Sequence, residues 1–104
     1  MPDTIRICIK RPDVAVEAID VPNTIEALQE LVGGYIEVIS LFPNIVVSVN
    51  EEGTLKGMPF NMVLAGHWLR GPVLFAGVKG EEFTHAPFHN VNQVESFIRR
   101  CNRR

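Results

Sequence analysis

Cysteine is scarce in this chain. Cys8 and Cys101 are the only two in 104 residues and sit near opposite ends. A disulfide-built secreted scaffold of this size usually carries about four or more. Charge of one sign is also lacking: ten basic and twelve acidic side chains leave a formal charge of −2. That balance gives no electrostatic reason to expect duplex nucleic acid or an anionic membrane as partner, and it sets little repulsion against self-association. No apolar run approaches the roughly 20 residues that span a bilayer. The N-terminus alternates through Thr4-Ile5-Arg6-Ile7-Cys8-Ile9-Lys10 and shows no unbroken signal core. The expectation is a protein with no membrane segment, in the cytoplasm, with both thiols reduced. Glycine is present, but in no phosphate-cradle pattern. Gly33-Gly34 leads from a helix into a strand, whereas a dinucleotide fingerprint runs from strand to helix.

What is there is core-forming sequence. Apolar residues make up 46% of the chain and charged residues 21%, enough for one modest hydrophobic core. Strict alternation predicts a strand over 4–10, with Ile5, Ile7 and Ile9 on one face and Arg6, Cys8 and Lys10 on the other, polar face. Arg11-Pro12-Asp13 is turn chemistry, and Val14 to Val21 returns as a second strand. Asn23, three residues before Glu26, predicts a capped helix that Gly33-Gly34 ends. Strands are predicted over 35–42, 45–50 and, briefly, 54–56. Residues 57–71 are broken by Gly and Pro, and a short helix is predicted over Asn61 to Ala65. Val73 to Val78 is apolar on both alternating faces, which predicts a central strand covered on both sides. Gly80 to His89 reads as loop. Asn92 and Glu95 predict the start of a last helix, with Val91, Val94, Ile98 and Cys101 on one stripe. Hairpin-compatible strand pairs with two principal helices make this an α+β domain, a mainly antiparallel sheet in a single compact unit over residues 1–104.

No reactive constellation stands out. His67, His85 and His89 do not have metal-ligand spacing, because Pro87 lies between the last two and argues for a loop. Glu51-Glu52 and Glu81-Glu82 are adjacent pairs, and neighbours on an extended segment point apart. Cys101 falls at a helix C-terminus, where the dipole disfavours a thiolate. No cofactor or metal is expected. Arg99, Arg100, Arg103 and Arg104 complement the last helix's dipole, so a nucleic-acid role through this tail is the sharper but less favoured reading. Residues 57–70 are different: Met58, Phe60, Met62, Leu64 and Trp68 place adaptable and aromatic side chains in an irregular segment.

Three blocks carry a resemblance: LQELVGGYIE at 28–37, NEEGTLKGMPFN at 50–61 and GPVLFAGVKGEEF at 71–83. Together they resemble a family of small proteins classed as a domain of unknown function, frequent in bacteriophages, prophages and mobile elements. The family pattern places a basic residue after the Asn of its Pro-x-Asn element; here that position is Met62. Ala65 to Arg70 also departs from the pattern. The resemblance implies an accessory protein and supplies no catalytic residue. The function expected is then a non-catalytic binding module that captures a host protein or a small ligand. The candidate contacts are Met58, Phe60, Asn61, Trp68, Glu82 and His85. The alternative is a small enzyme whose site, built from Asn61, Glu82 and His85, assembles across a homo-oligomer.

Overall fold

In a computed structural model, residues 3–103 are described; Arg104 of the arginine tail lies outside them. Strands β1 (Thr4–Lys10) and β2 (Glu17–Pro22) form the N-terminal hairpin, and helix α1 (Ile25–Val32) follows. Strands β3 (Ile36–Phe42) and β4 (Ile45–Asn50) form a second hairpin; β5 (Phe60–Leu64) and β6 (His67–Arg70) form a third. Strand β7 (Val73–Lys79), the short β8 (Glu82–Thr84) and helix α2 (Val91–Cys101) complete the chain. The main sheet runs β2-β1-β7-β4-β3, with β8 beside the end of β7, and every pairing is antiparallel. The strand predicted to be central is central. Strands β5 and β6 make a separate two-stranded sheet.

Two cores lie on opposite faces of the main sheet. On one face Ile5, Ile7, Ile9, Val46, Leu74 and Ala76 pack under Leu28 and Val32 of α1. This helix carries the chain from edge strand β2 to the opposite edge, β3. On the other face Cys8, Val47, Val49, Val73 and Phe75 pack under Val94 and Phe97 of α2 and under Leu64 and Leu69 of the β5–β6 hairpin. Phe97 is the hub of that core. Its ring meets Phe42, Phe75 and Phe88 at centroid separations of 5.5, 6.3 and 5.6 Å, each edge to face. Burying such a ring contributes roughly 2–3 kcal/mol from area alone, with edge-on pairing adding to it.

Several local expectations are corrected. The α1 cap is Thr24, not Asn23: its hydroxyl accepts from Ala27 N at 3.1 Å, while the Asn23 amide donates to Phe83 O. Gly33 closes that helix in the left-handed conformation (φ 81°), as its position predicts. The α2 cap is Asn90, not Asn92. Its side chain accepts from Gln93 N, and the Gln93 side-chain oxygen accepts from His89 N, one residue before the cap, so the helix start is fixed two residues earlier than expected. Residues 61–65 are not helical; residues 60–64 form β5. Residues 54–56 lie in a run of turns rather than a strand, and 82–84 form β8 rather than loop. Residues 14–16 precede β2 instead of belonging to it. Cys8 is buried, 3% exposed, because the face of β1 that reads as polar is covered as well.

Candidate functional site

The hairpin β5–β6 positions the most unusual surface of the molecule. Its register pairs Phe60 with Arg70 and then Met62 with Leu69, so Asn61 is the extra residue of a bulge. A bulge re-aims the side chains around it. Met62 packs toward the core with Leu64 and Leu69, while Phe60 turns to the outer face. There its ring lies 5.5 Å from that of Trp68, tilted by 52°. Trp68 is 74% exposed and Phe60 44%.

Asn61 itself points inward. Its amide nitrogen donates to Lys10 O at 2.7 Å and to Gly71 O at 2.8 Å, and its oxygen accepts from Lys10 Nζ at 3.3 Å. One side chain thereby ties β1, β5 and the β6–β7 turn together. Asn50 does the same at the end of β4: it donates to Val32 O at 3.0 Å and accepts from Glu52 N at 2.7 Å. Met58 fills the space between, close against Gly71, where an added Cβ would lie 2.7 Å from the Met58 sulfur and the positive φ of 75° favours glycine. Arg70 donates to Met58 O at 3.1 Å. The blocks NEEGTLKGMPFN and GP are thus a clamp around the Val73 end of β7.

Between this clamp and Trp68 lies a polar cleft lined by Glu37, Asn50, Glu51, Thr54, Trp68 and Arg70. Its cavity volume of 70 Å³ suits water-sized groups, well below the roughly 300 Å³ of a metabolite pocket. It flanks Trp68 with carboxylates and one guanidinium.

The six predicted contact residues fall into two groups. Met58, Phe60, Asn61 and Trp68 gather at the Val73 end of β7. Glu82 pairs with Lys79 at the other end, and His85 follows it, its Nδ1 accepting from Arg6 N at 3.0 Å. Within one copy, Asn61 does not meet Glu82 and His85, and its amide donors are already committed. Among the described residues no group of three His, Cys, Asp or Glu side chains is spaced to hold a metal ion. Burial pushes both thiols above their ordinary range, more than the lowering by Arg6 at Cys8 or by Arg100 at Cys101. Neither cysteine has the thiolate character of a nucleophile at neutral pH.

The sequence reading did not single out Asn50, Glu37 or Arg70. A polar residue closing the β-branched run Ile45-Val46-Val47-Ser48-Val49 was the available signal for Asn50, since a buried amide needs a defined partner.

No helix among the described residues is long and apolar enough to cross a membrane. No curated protein and no solved structure matches the chain. A family model does match, over residues 5–99. The chain belongs to the family DUF3846, a domain of unknown function.

Proposed function

We propose that this domain is a non-catalytic binding module that captures a protein partner on the outer face of the β5–β6 hairpin. One observation carries the reading: a tryptophan and a phenylalanine, ring to ring, are held outward on a hairpin whose other face is anchored in the core. Tryptophan is usually mostly buried. Where it is displayed on a rigid element it is the residue type most enriched at binding hot spots. The bulge at Asn61 is what turns Phe60 outward, so the display is built into the fold. Glu37, Glu51 and Arg70 supply a polar rim of the kind that surrounds such anchors. The mobile-element setting implied by the resemblance makes the partner a host protein, sequestered rather than chemically altered.

Capture from host lysate tests this. Immobilised wild-type protein retains a defined host protein, and Trp68→Ser with Phe60→Ser loses it by about 30-fold or more, the weight of one hot-spot anchor. The double variant keeps the wild-type melting temperature to within a few degrees, because the rings it removes are exposed. Retention of nothing by the wild type, or equal retention by the double variant, overturns the reading.

A further inference from the structure

The main sheet ends in two strands of different character. Edge strand β2 is guarded. Glu17 pairs with Arg11, Asp20 pairs with Arg6, and the strand ends in Pro22. Charges and proline are how sheets avoid edge-to-edge contact. Edge strand β3, IEVISLF, carries one charge, Glu37, and neither lysine nor proline.

The backbone phase of β3 follows from one bond. Glu51 N donates to Tyr35 O at 2.8 Å, so Tyr35 faces Glu51 across a hydrogen-bonded position. Alternation along the ladder then directs Glu37 and Ile39 toward β4 and turns the N–H and C=O groups of Ile36, Val38 and Ser40 outward. No turn or loop bond among the described residues takes up these outward groups. The side chains of Tyr35, Val38 and Phe42 beside them are exposed. Exposed backbone of this kind accepts another strand.

Charge placement identifies that strand. Glu37 lies at the start of β3 on the face that α2 covers, since it pairs with Val49 of that core. Arg100 of α2 lies at the other end of β3, lining a hollow with Phe42, Ile45 and Phe97 on the same face. Neither makes an ion pair among the described residues. Two-fold antiparallel pairing reverses one β3 against the other. It brings Glu37 of each copy toward Phe42 and Arg100 of its mate, twice by symmetry.

We propose that β3 is a self-pairing edge: two copies join antiparallel about Ile39, with Val38 of each facing Ser40 of its mate, extending one sheet into the next, with Glu37 and Arg100 as the reciprocal charge pair. The bulge between Ser40 and Phe42 confines the pairing to the first part of the strand. The interface is therefore small and the dimer reversible. It uses neither Phe60 nor Trp68, although Glu37 also lines the cleft beside Trp68; Arg100 does not line that cleft, so Arg100→Glu weakens the dimer without touching the hairpin face.

Sedimentation velocity from low to high micromolar concentration tests the proposal. The wild type shifts from monomer to dimer as concentration rises. Val38→Lys, which puts a charge on the exposed edge, weakens the dimer by about tenfold or more. Glu37→Arg and Arg100→Glu each weaken it several-fold, and the two together restore it. Trp68→Ser leaves the dimer constant unchanged. A wild type that stays monomeric throughout, or a double charge reversal no better than either single one, overturns the proposal. Circular dichroism checks that each variant is folded, and the charge-reversal set carries the test if Val38→Lys is not.

Discussion

The two ends of β7 are closed by different means. At the Val73 end, side chains do the closing: Asn61 and Asn50 bind carbonyls of three neighbouring segments, and Met58 plugs the space against Gly71. At the Lys79 end the backbone does it. The chain leaving β8 crosses directly over Gly77, Ala86 N donates to Arg6 O at 2.8 Å, and Arg6 N donates to His85 Nδ1. The side-chain closure frees its neighbours for display. Because Asn61 occupies the bulge and points in, Phe60 points out, and the aromatic face sits beside the clamp that makes it possible. The backbone closure displays no comparable apolar pair: Glu82 lies exposed, and the exposed His85 has its Nδ1 committed to Arg6 N. Polar groups buried and satisfied at one end are the structural support for apolar groups left in water next to them, which is why the proposed partner face is placed there.

The largest effect breaks the backbone end. A methyl group at Gly77 would lie 2.1 Å from the His85 carbonyl oxygen and 3.1 Å from its carbon, a conflict with main chain that no rotamer relieves. Gly77→Ala is expected to cost about 3 kcal/mol or more, measured by urea unfolding, and to displace residues 82–86 from the edge of β7 and β1. Binding through Trp68 survives wherever the variant is folded. At the side-chain end, Asn61→Ala removes three hydrogen bonds and strands two carbonyls, a loss of about 2–3 kcal/mol by the same measurement. Asn61→Asp costs at least as much, because it turns an acceptor toward the oxygens of Lys10 and Gly71. Unlike Gly77→Ala, both Asn61 variants relax the bulge. They lower the affinity for a hairpin partner in conditions where the protein remains folded. Equal loss of partner affinity from Gly77→Ala would erase the distinction between the ends.

How much of this was legible in the sequence follows the same division. Strong periodicity was readable: β1, β3, β4 and β7, both helices, and the antiparallel α+β class all follow from alternation, helical spacing and Gly or Pro stops. The hairpin was not, because the bulge at Asn61 breaks the period-two pattern of Phe60 to Leu64, and a broken alternation over five residues imitates a turn of helix. Strand β8 escaped notice because its three residues gain their conformation from pairing with Gly77 to Lys79, a tertiary cause. At the helix starts, Asn23 and Asn92 have the spacing of caps, but Thr24 and Asn90 do the capping. Two polar residues one or two positions apart at a helix start leave the register to the contacts each makes elsewhere, as Asn23 makes with Phe83. In the candidate site, composition pointed to Met58, Phe60, Asn61 and Trp68. It did not separate the two that plug and clamp from the two that face outward. That sorting depends on the bulge and on where Lys10 and Gly71 come to rest.

Cys8 lies midway between the ends, opposite Phe75, and reports the smallest effect. Alternation puts it on a face with Arg6 and Lys10, yet it is buried where those two reach the rim. Burial raises its thiol above the ordinary range, and Arg6 draws it back only in part. The sign of the pH dependence follows. In the unfolded chain the thiol loses its proton near pH 8.5, while in the folded chain it is still protonated. Over that interval the folded state binds more protons, so stability falls as pH rises. Below it the thiol is protonated in both states and contributes no slope. Cys101 shifts in the same direction, with Arg100 opposing the effect of its burial. Urea midpoints taken upward from neutral pH should therefore decline more steeply for the wild type than for Cys8→Ala. The Cys8→Ala, Cys101→Ala double variant should be flatter still, the difference amounting to under about 1 kcal/mol. Parallel curves would mean that Cys8 is already reached by water in the native state. The middle of β1 would then be looser than the two closures that flank it.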